Sequence, residues 1–236
     1  MTTRTTDRRF TEPLYTVAEA ARFVAVPAST LGTWSKGYVR RPVGRSAVQG
    51  APIITSLPAS VGNPTIPFGG LAEAMVLAAF RKSGVSLQHI RRAVDVLSRE
   101  MGVEHALASR RLYTDGAKML FDYADDRGDE ELAGLTEVVS RQRVFSQVVR
   151  DYLRRIEYAD DPWAVRVISP ATARPVVVAD PARAFGQPIF TAGAAPVESL
   201  ESRIKAGDRP DEVADDFGVP LEDVAEYLHI LLPVAA

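Results

Sequence analysis

Two stretches of the chain set out apolar and polar residues in the same order. In the first, Ala20, Ala21, Phe23 and Val24 form an apolar stripe behind Thr16 and Glu19, whose spacing of three is that of a capping box. A helix is predicted over about 17–24. Pro27 lacks an amide donor and suits the start of a second helix, on which Leu31 and Trp34 lie three apart and face inward. The order Ala21, then Ala25 and Val26, then Leu31, then Trp34 is that of a helix-turn-helix: a small residue lets the helices approach, and two large apolar groups clamp the second helix. The other stretch is at the far end. It predicts helices over 197–205, closed by Gly207, over 210–217, closed by Gly218, and over 220–232, with proline opening the last two. Ala214, then Gly218 and Val219, then Val224, then Tyr227 repeats the first spacing.

Between them the pattern is mixed. Pro and Gly mark a loop over 63–70, and apolar residues at spacings of three and four predict helices over 71–82 and 86–101. Asp115-Gly116 between two β-prone arms suits a hairpin turn. The acidic run DYADDRGDEE lacks the alternating oxygen ligands and closing glutamate of a calcium loop, and reads as a solvated loop. Leu135, Val138, Gln142, Phe145, Val149, Tyr152 and Ile156 keep a 3-4 heptad on a helix placed over about 132–157. That stripe suits a dimer seam or a helix folded onto its own domain. Strands are expected over 163–168 and 175–178, separated by a Ser-Pro turn. The fold class expected is mainly α with small β elements (α+β). Three regions are expected: 1–110, 111–180 (hairpin, long helix and strand pair, suited to dimerisation) and an acidic helical 181–236.

The net charge of −2 hides an asymmetry. Residues 1–45 hold 8 Lys and Arg against 3 Asp and Glu, whereas residues 197–236 hold 3 against 10. Phosphate would attract the first segment and repel the second. The absence of Cys removes disulfides, thiolate metal sites and a Cys nucleophile, and a reducing cytoplasm is the expected location. The start MTTRTTDRRF has no apolar core, and no run reaches the length of a membrane span, so neither a standard secretion signal nor a membrane anchor is expected. His89 and His105 lie sixteen apart without a third ligand at metal spacing, and read as surface or capping residues. With His229 the only other histidine, no phosphate-cradling glycine loop and no Ser-His-Asp grouping, no catalytic step has assignable residues. No enzyme activity, cofactor or metal is expected.

On YTVAEAARFVAVPASTLGTWSKGYV the front segment resembles the winged helix-turn-helix DNA-binding domains of the MerR-like family. Arg40, Arg41 and Arg45 lie in a Gly/Pro-containing loop leading to Pro52-Ile53-Ile54-Thr55, as a wing would, and GVSLQHIRRAVDVL resembles the helix that packs behind it. The recognition helix offers bases Ser29, Thr30, Thr33, Ser35 and Lys36. It has no Arg for guanine and no Asn or Gln for adenine, so phosphate contacts from Lys36 and the arginines are expected to dominate. Two departures stand out: Ala25 where the turn usually has Gly, and Gly32 inside the helix. The tail RAFGQPIFTAGAAPVESLESRIKAGDRPDEVADDFGVPLEDVAEYL resembles a small uncharacterised domain family found alone and in antitoxins of the VapB kind. Gly186-Gln187-Pro188-Ile189 matches its start and Gly193-Ala194-Ala195-Pro196-Val197 its turn, with Ala194-Ala195 where a polar or basic pair is common.

The combination resembles long VapB-type antitoxins encoded beside a PIN-domain ribonuclease toxin. It implies an antitoxin that blocks the toxin and represses its own operon on double-stranded operator DNA. A homodimer is expected on separate grounds, because small helix-turn-helix domains gain affinity on two half-sites about one DNA turn apart. On the tail, Asp211, Glu212, Asp215, Asp216, Glu222, Asp223 and Glu226 are the positions expected to be exposed and to meet a protein partner rather than DNA. A plain solvated acidic face explains the same residues. A stand-alone MerR-like regulator without a toxin, and a helix-turn-helix kept only for packing, are the competing readings.

Overall fold

Phe68 to Phe80 decides the architecture, because every residue of that stretch is buried. A helix with no solvent face must be covered on all sides, and in the computed structural model the other elements are wrapped around it. The structure describes residues 7–41, 47–60, 62–84, 86–102, 104–110, 112 and 149–231. Helix α1 (Arg8–Thr11) leads to α2 (Val17–Val24), α3 (Ala28–Lys36) and a hairpin of β1 (Tyr38–Arg40) and β2 (Val48–Gly50). The buried helix α4 (Phe68–Lys82) and α5 (Leu87–Met101) follow. After helical residues 149–153 comes an antiparallel meander of β3 (Ile156–Glu157), β4 (Arg166–Ile168), β5 (Val177–Ala179) and β6 (Ile189–Phe190). Helices α6 (Val197–Lys205), α7 (Pro210–Phe217) and α8 (Leu221–Leu231) close the described chain. This is the expected α+β class, and one hydrophobic cluster runs from Phe10 to Tyr227.

The repeated spacing produces the repeated structure. Thr16 and Glu19 form both halves of the capping box on α2. The helix ends when Ala25 turns left-handed at φ 58°, and Val26 N–H donates to Ala21 O at 2.9 Å. In the tail, Gly218 takes the same conformation at φ 63°, and Val219 N–H donates to Ala214 O at 2.9 Å. Ala21, Leu31 and Trp34 are buried in the first unit, and Ala214, Val219, Val224 and Tyr227 in the second.

Three expectations need correction. The loop placed over 63–70 gives way to helix at Phe68, because Gly69 and Gly70 are there for close approach and not for a turn. A Cβ on Gly69 would strike the Phe10 ring, and one on Gly70 would strike the Thr55 carbonyl oxygen. The hairpin's return strand is β2, earlier than the 52–55 run; Ile53 and Ile54 instead donate their N–H groups to Trp34 O. The helix expected to reach 157 stops at 153: the Arg155 carbonyl accepts from Ile168 N–H at 2.8 Å, and Ile156 pairs with Val167 in the sheet. Val149 and Tyr152 of the heptad stripe are buried in this chain's own core, while its earlier positions, the Asp115-Gly116 turn and the acidic run lie outside the described residues. Of the two readings of His105, surface or capping, its half-buried place at the N-cap of the 3-10 turn Ala106–Ala108 fits the second. Its ring stacks on Phe10 at 3.8 Å, and its Nδ1 lies 3.1 Å from buried Glu73 and 2.9 Å from Thr55 Oγ1.

Two expectations follow for stability. Ala25→Gly removes a left-handed alanine and should raise unfolding stability by about 1 kcal/mol, whereas Gly218→Ala should lower it by a similar amount. Gly70→Ala forces its methyl onto backbone and should cost about 1–3 kcal/mol. Urea unfolding of the three variants checks both signs.

Candidate nucleic-acid interface

Leu31 and Trp34 fix the roll of α3 by facing the core, and this turns Ser29, Thr33 and Lys36 outward along one stripe. Ser29 and Lys36 are exposed, and Thr30 and Thr33 are half-buried. The Thr33 hydroxyl donates to the Ser29 carbonyl at 2.9 Å. Ser35, expected among the base-reading residues, is buried, with its carbonyl accepting from the Ser56 hydroxyl at 2.7 Å. Arg40 closes β1 and Arg41 is exposed just after it, beside the wing; Arg45 lies outside the described residues. From α5, Arg91 lies over the Tyr38 ring at 5.7 Å and donates to the Ala51 carbonyl, so the helix behind the wing holds the hairpin in place.

The stretch of chain that builds this face carries charge of one sign. Between Glu19 and Glu73 the sequence contains no Asp or Glu, while Arg22, Lys36, Arg40, Arg41 and Arg45 all fall in that interval. Lys36 and Arg41 project from consecutive elements into solvent and can meet phosphate without a neighbouring carboxylate from this segment.

Arg22 does something else. Its guanidinium contacts the Glu201 carboxylate on α6 at 2.6 Å, and Tyr227 of α8 donates to the same oxygen at 2.5 Å. Lys205 reaches the other oxygen at 2.8 Å. Burial alone would push the Glu201 carboxyl up, but hydrogen bonds from Lys205, Tyr227 and Arg22 hold it below the usual carboxylate range. Burial and the adjacent Glu201 push the Tyr227 phenol up, so it remains a donor. This cluster ties the front helix pair to the tail pair. A cavity of about 110 Å³ lies beside it, lined by Tyr15, Phe23, Val177, Pro188 and Val197 among others. Nothing in the linear sequence pairs Arg22 with a carboxylate 179 positions away.

The acidic tail is less open than its sequence suggests. Glu212 and Asp215 are exposed, Asp211 lies 2.7 Å from Arg209, and Asp216 lies 2.8 Å from Arg203. Glu222, Asp223 and Glu226 gather on Arg174 of the β4–β5 connection, with nearest approaches of 3.6, 2.8 and 2.9 Å. The expectation that all seven are exposed is corrected at Asp223, which is buried, and at Asp211 and Glu226, which are partly covered. Arg174, placed by the turn, is what the spacing rules had no means to find. Among the described residues, no three metal-ligating side chains come together, and no helix is long and apolar enough to cross a membrane.

Helix, left-handed turn, helix and hairpin make the front of this chain a winged helix-turn-helix unit. Residues 13–94 match the family model described as "Putative DNA-binding HTH domain", and residues 177–229 match "Protein of unknown function (DUF433)". The chain is 44% identical over 226 residues to "Putative antitoxin VapB45" of Mycobacterium tuberculosis, covering 93% of this chain and 94% of that protein. It is 25% identical to "Uncharacterized protein Rv2308" of the same organism, covering 91% and 88%. The crystal structure of Rv2018 from Mycobacterium tuberculosis matches with a TM-score of 0.70 at 35% identity, over 93% of this chain and 99% of that one. The chain belongs to the VapB45 family of VapB-type antitoxins.

The Glu201 cluster sets a pH dependence. A carboxyl whose folded pKa is depressed contributes stability above its unfolded pKa and loses it as pH falls through the folded value. Glu201→Gln should therefore cost about 1–3 kcal/mol near neutrality. The gap to wild type should narrow as the pH drops below the carboxylate range. Urea titrations of both proteins across that range measure it.

Proposed function

We propose that this protein is a non-catalytic, two-partner antitoxin that binds its own double-stranded operator DNA and neutralises a PIN-domain ribonuclease toxin. The family membership supports the antitoxin half. The observation that carries the DNA half is that Lys36 of α3 and Arg41 at the wing are both exposed and come from a stretch of sequence without Asp or Glu, with Ser29 and Thr33 on the same stripe of α3 as Lys36. Recognition on this reading is mostly electrostatic. Lys36, Arg40, Arg41 and Arg45 bind phosphate, Ser29, Thr30 and Thr33 touch base edges or backbone, and DNA shape supplies part of the preference. A homodimer on two half-sites one turn apart compensates for weak readout by a single unit. The tail carries carboxylates that phosphate repels, and serves protein contacts instead.

Two measurements test the two halves. Affinity for the upstream region of its own operon should fall steeply with salt, and removing Lys36, Arg41 or Arg45 should each reduce the log–log slope by about 1. An unchanged slope would mean that the helix-turn-helix serves packing. Co-expression of a PIN-domain ribonuclease from the adjacent gene, where this reading places its toxin, should restore growth and give a complex that survives purification, and failure of both contradicts the toxin half.

A further inference from the structure

The connection from β5 to β6 contains a feature that neither core packing nor DNA contact uses. Phe185 is 92% exposed, whereas the other large exposed apolar residues described, Val39 and Leu221, are 58% and 49% exposed. Ala184 and Phe185 are both left-handed, at φ 46° and 54°, and Gly186 follows at φ 83°. Successive left-handed L-residues are disfavoured, and such strain persists only where surrounding structure enforces it.

Here it is enforced from both sides. Asp180 Oδ1 accepts from Ala182 N–H at 2.8 Å, Arg183 N–H donates to Asp180 O at 2.9 Å, and Gly186 N–H donates to Arg183 O at 2.8 Å. From the front unit, the hydroxyl of buried Tyr15 donates to the Gly186 carbonyl at 2.5 Å. A Cβ on Gly186 would come within 2.7 Å of Leu14. The turn is thus bolted to the winged helix-turn-helix unit by its glycine, while its phenylalanine points into water. Arg183 and Gln187, on either side, are exposed as well.

The geometry points to Phe185 as a preorganised aromatic anchor, flanked by Arg183, that docks into an apolar pocket edged by carboxylates on the toxin. This rests on the antitoxin reading above. An aromatic ring on a fixed convex turn fits a concave partner and loses little conformational freedom on binding, which is how interface hot spots are built. The partner's charge is read from Arg183, an exposed cation two residues before the phenylalanine. Much of the tail's acidic surface is already engaged with Arg174, Arg203 and Arg209, which leaves the turn as the more distinctive docking feature.

The test uses the full chain and the adjacent gene's product, which the antitoxin reading takes to be the PIN-domain toxin, with affinity measured by titration calorimetry. Phe185→Ala should weaken the complex by at least about thirty-fold without lowering the melting temperature. Phe185→Gly should weaken it similarly while raising the melting temperature by a few degrees, because glycine relieves the left-handed strain. Arg183→Glu should weaken binding and abolish the loss of affinity seen on adding salt to the wild-type complex. If the wild-type complex forms and all three variants bind normally, the anchor is wrong and the antitoxin reading stands. If no wild-type complex forms, both fall. Should Phe185→Ala instead alter self-association or operator affinity and leave toxin binding intact, the occupant is a second copy or DNA and the inference is overturned.

Discussion

Helix α4 exists only because other segments withdraw it from water on every side, and its first turn allows this by having no side chains at Gly69 and Gly70. Phe10 lies over Gly69, stacks on His105 and meets Trp163 edge-on at 5.4 Å, so one ring joins the N-terminus, the buried helix and the approach to the sheet. Arg9 adds an ion pair to Asp161 at 3.0 Å. The Thr55 backbone N–H donates to buried Glu73, which in turn meets His105. Buried polar groups are tolerable only when satisfied, and here Glu73 and His105 are satisfied by each other and by Thr55 from a different segment of chain. The position of the winged unit relative to the sheet follows from that packing.

The second constraint is electrostatic. One backbone module, with the same left-handed turn and the same clamp residues, appears with opposite surface charge at the two ends of the chain. The front copy has cations and no carboxylate in sequence between Glu19 and Glu73, and one of those cations, Arg22, is held against the tail by Glu201. The rear copy turns three of its carboxylates back onto Arg174. Charge therefore fastens the rear copy to the body of the protein, and in the proposed function it leaves the front face for phosphate.

Local pattern was enough to place both helix pairs, since capping residues, prolines at helix starts and the clamp spacing act within a few residues of each other. The tail helices fall over 197–205 and 210–217 as spacing predicts, and α8 begins one residue after Pro220. Spacing failed where a residue's purpose is set by a distant neighbour. Gly69-Gly70 looked like a loop because the Phe10 ring and the Thr55 carbonyl that need the space are far away in sequence. Ile53-Ile54 looked like a strand because β-branched residues suit one, yet their N–H groups are taken by Trp34 O. For the candidate site, the outward placement of Ser29, Lys36 and Arg41 follows from helix phase and loop composition. Glu201, Arg174 and Phe185 were not, because ion pairs across 50 or more positions and a strained backbone leave no periodic trace.

The division of labour between the two helix pairs is most directly tested by amide hydrogen exchange of the full chain with and without operator DNA. Slowed exchange confined to α3 and the wing, with 210–231 unchanged, is the expected result. Protection of the tail pair by DNA, with α3 unaffected, would contradict it.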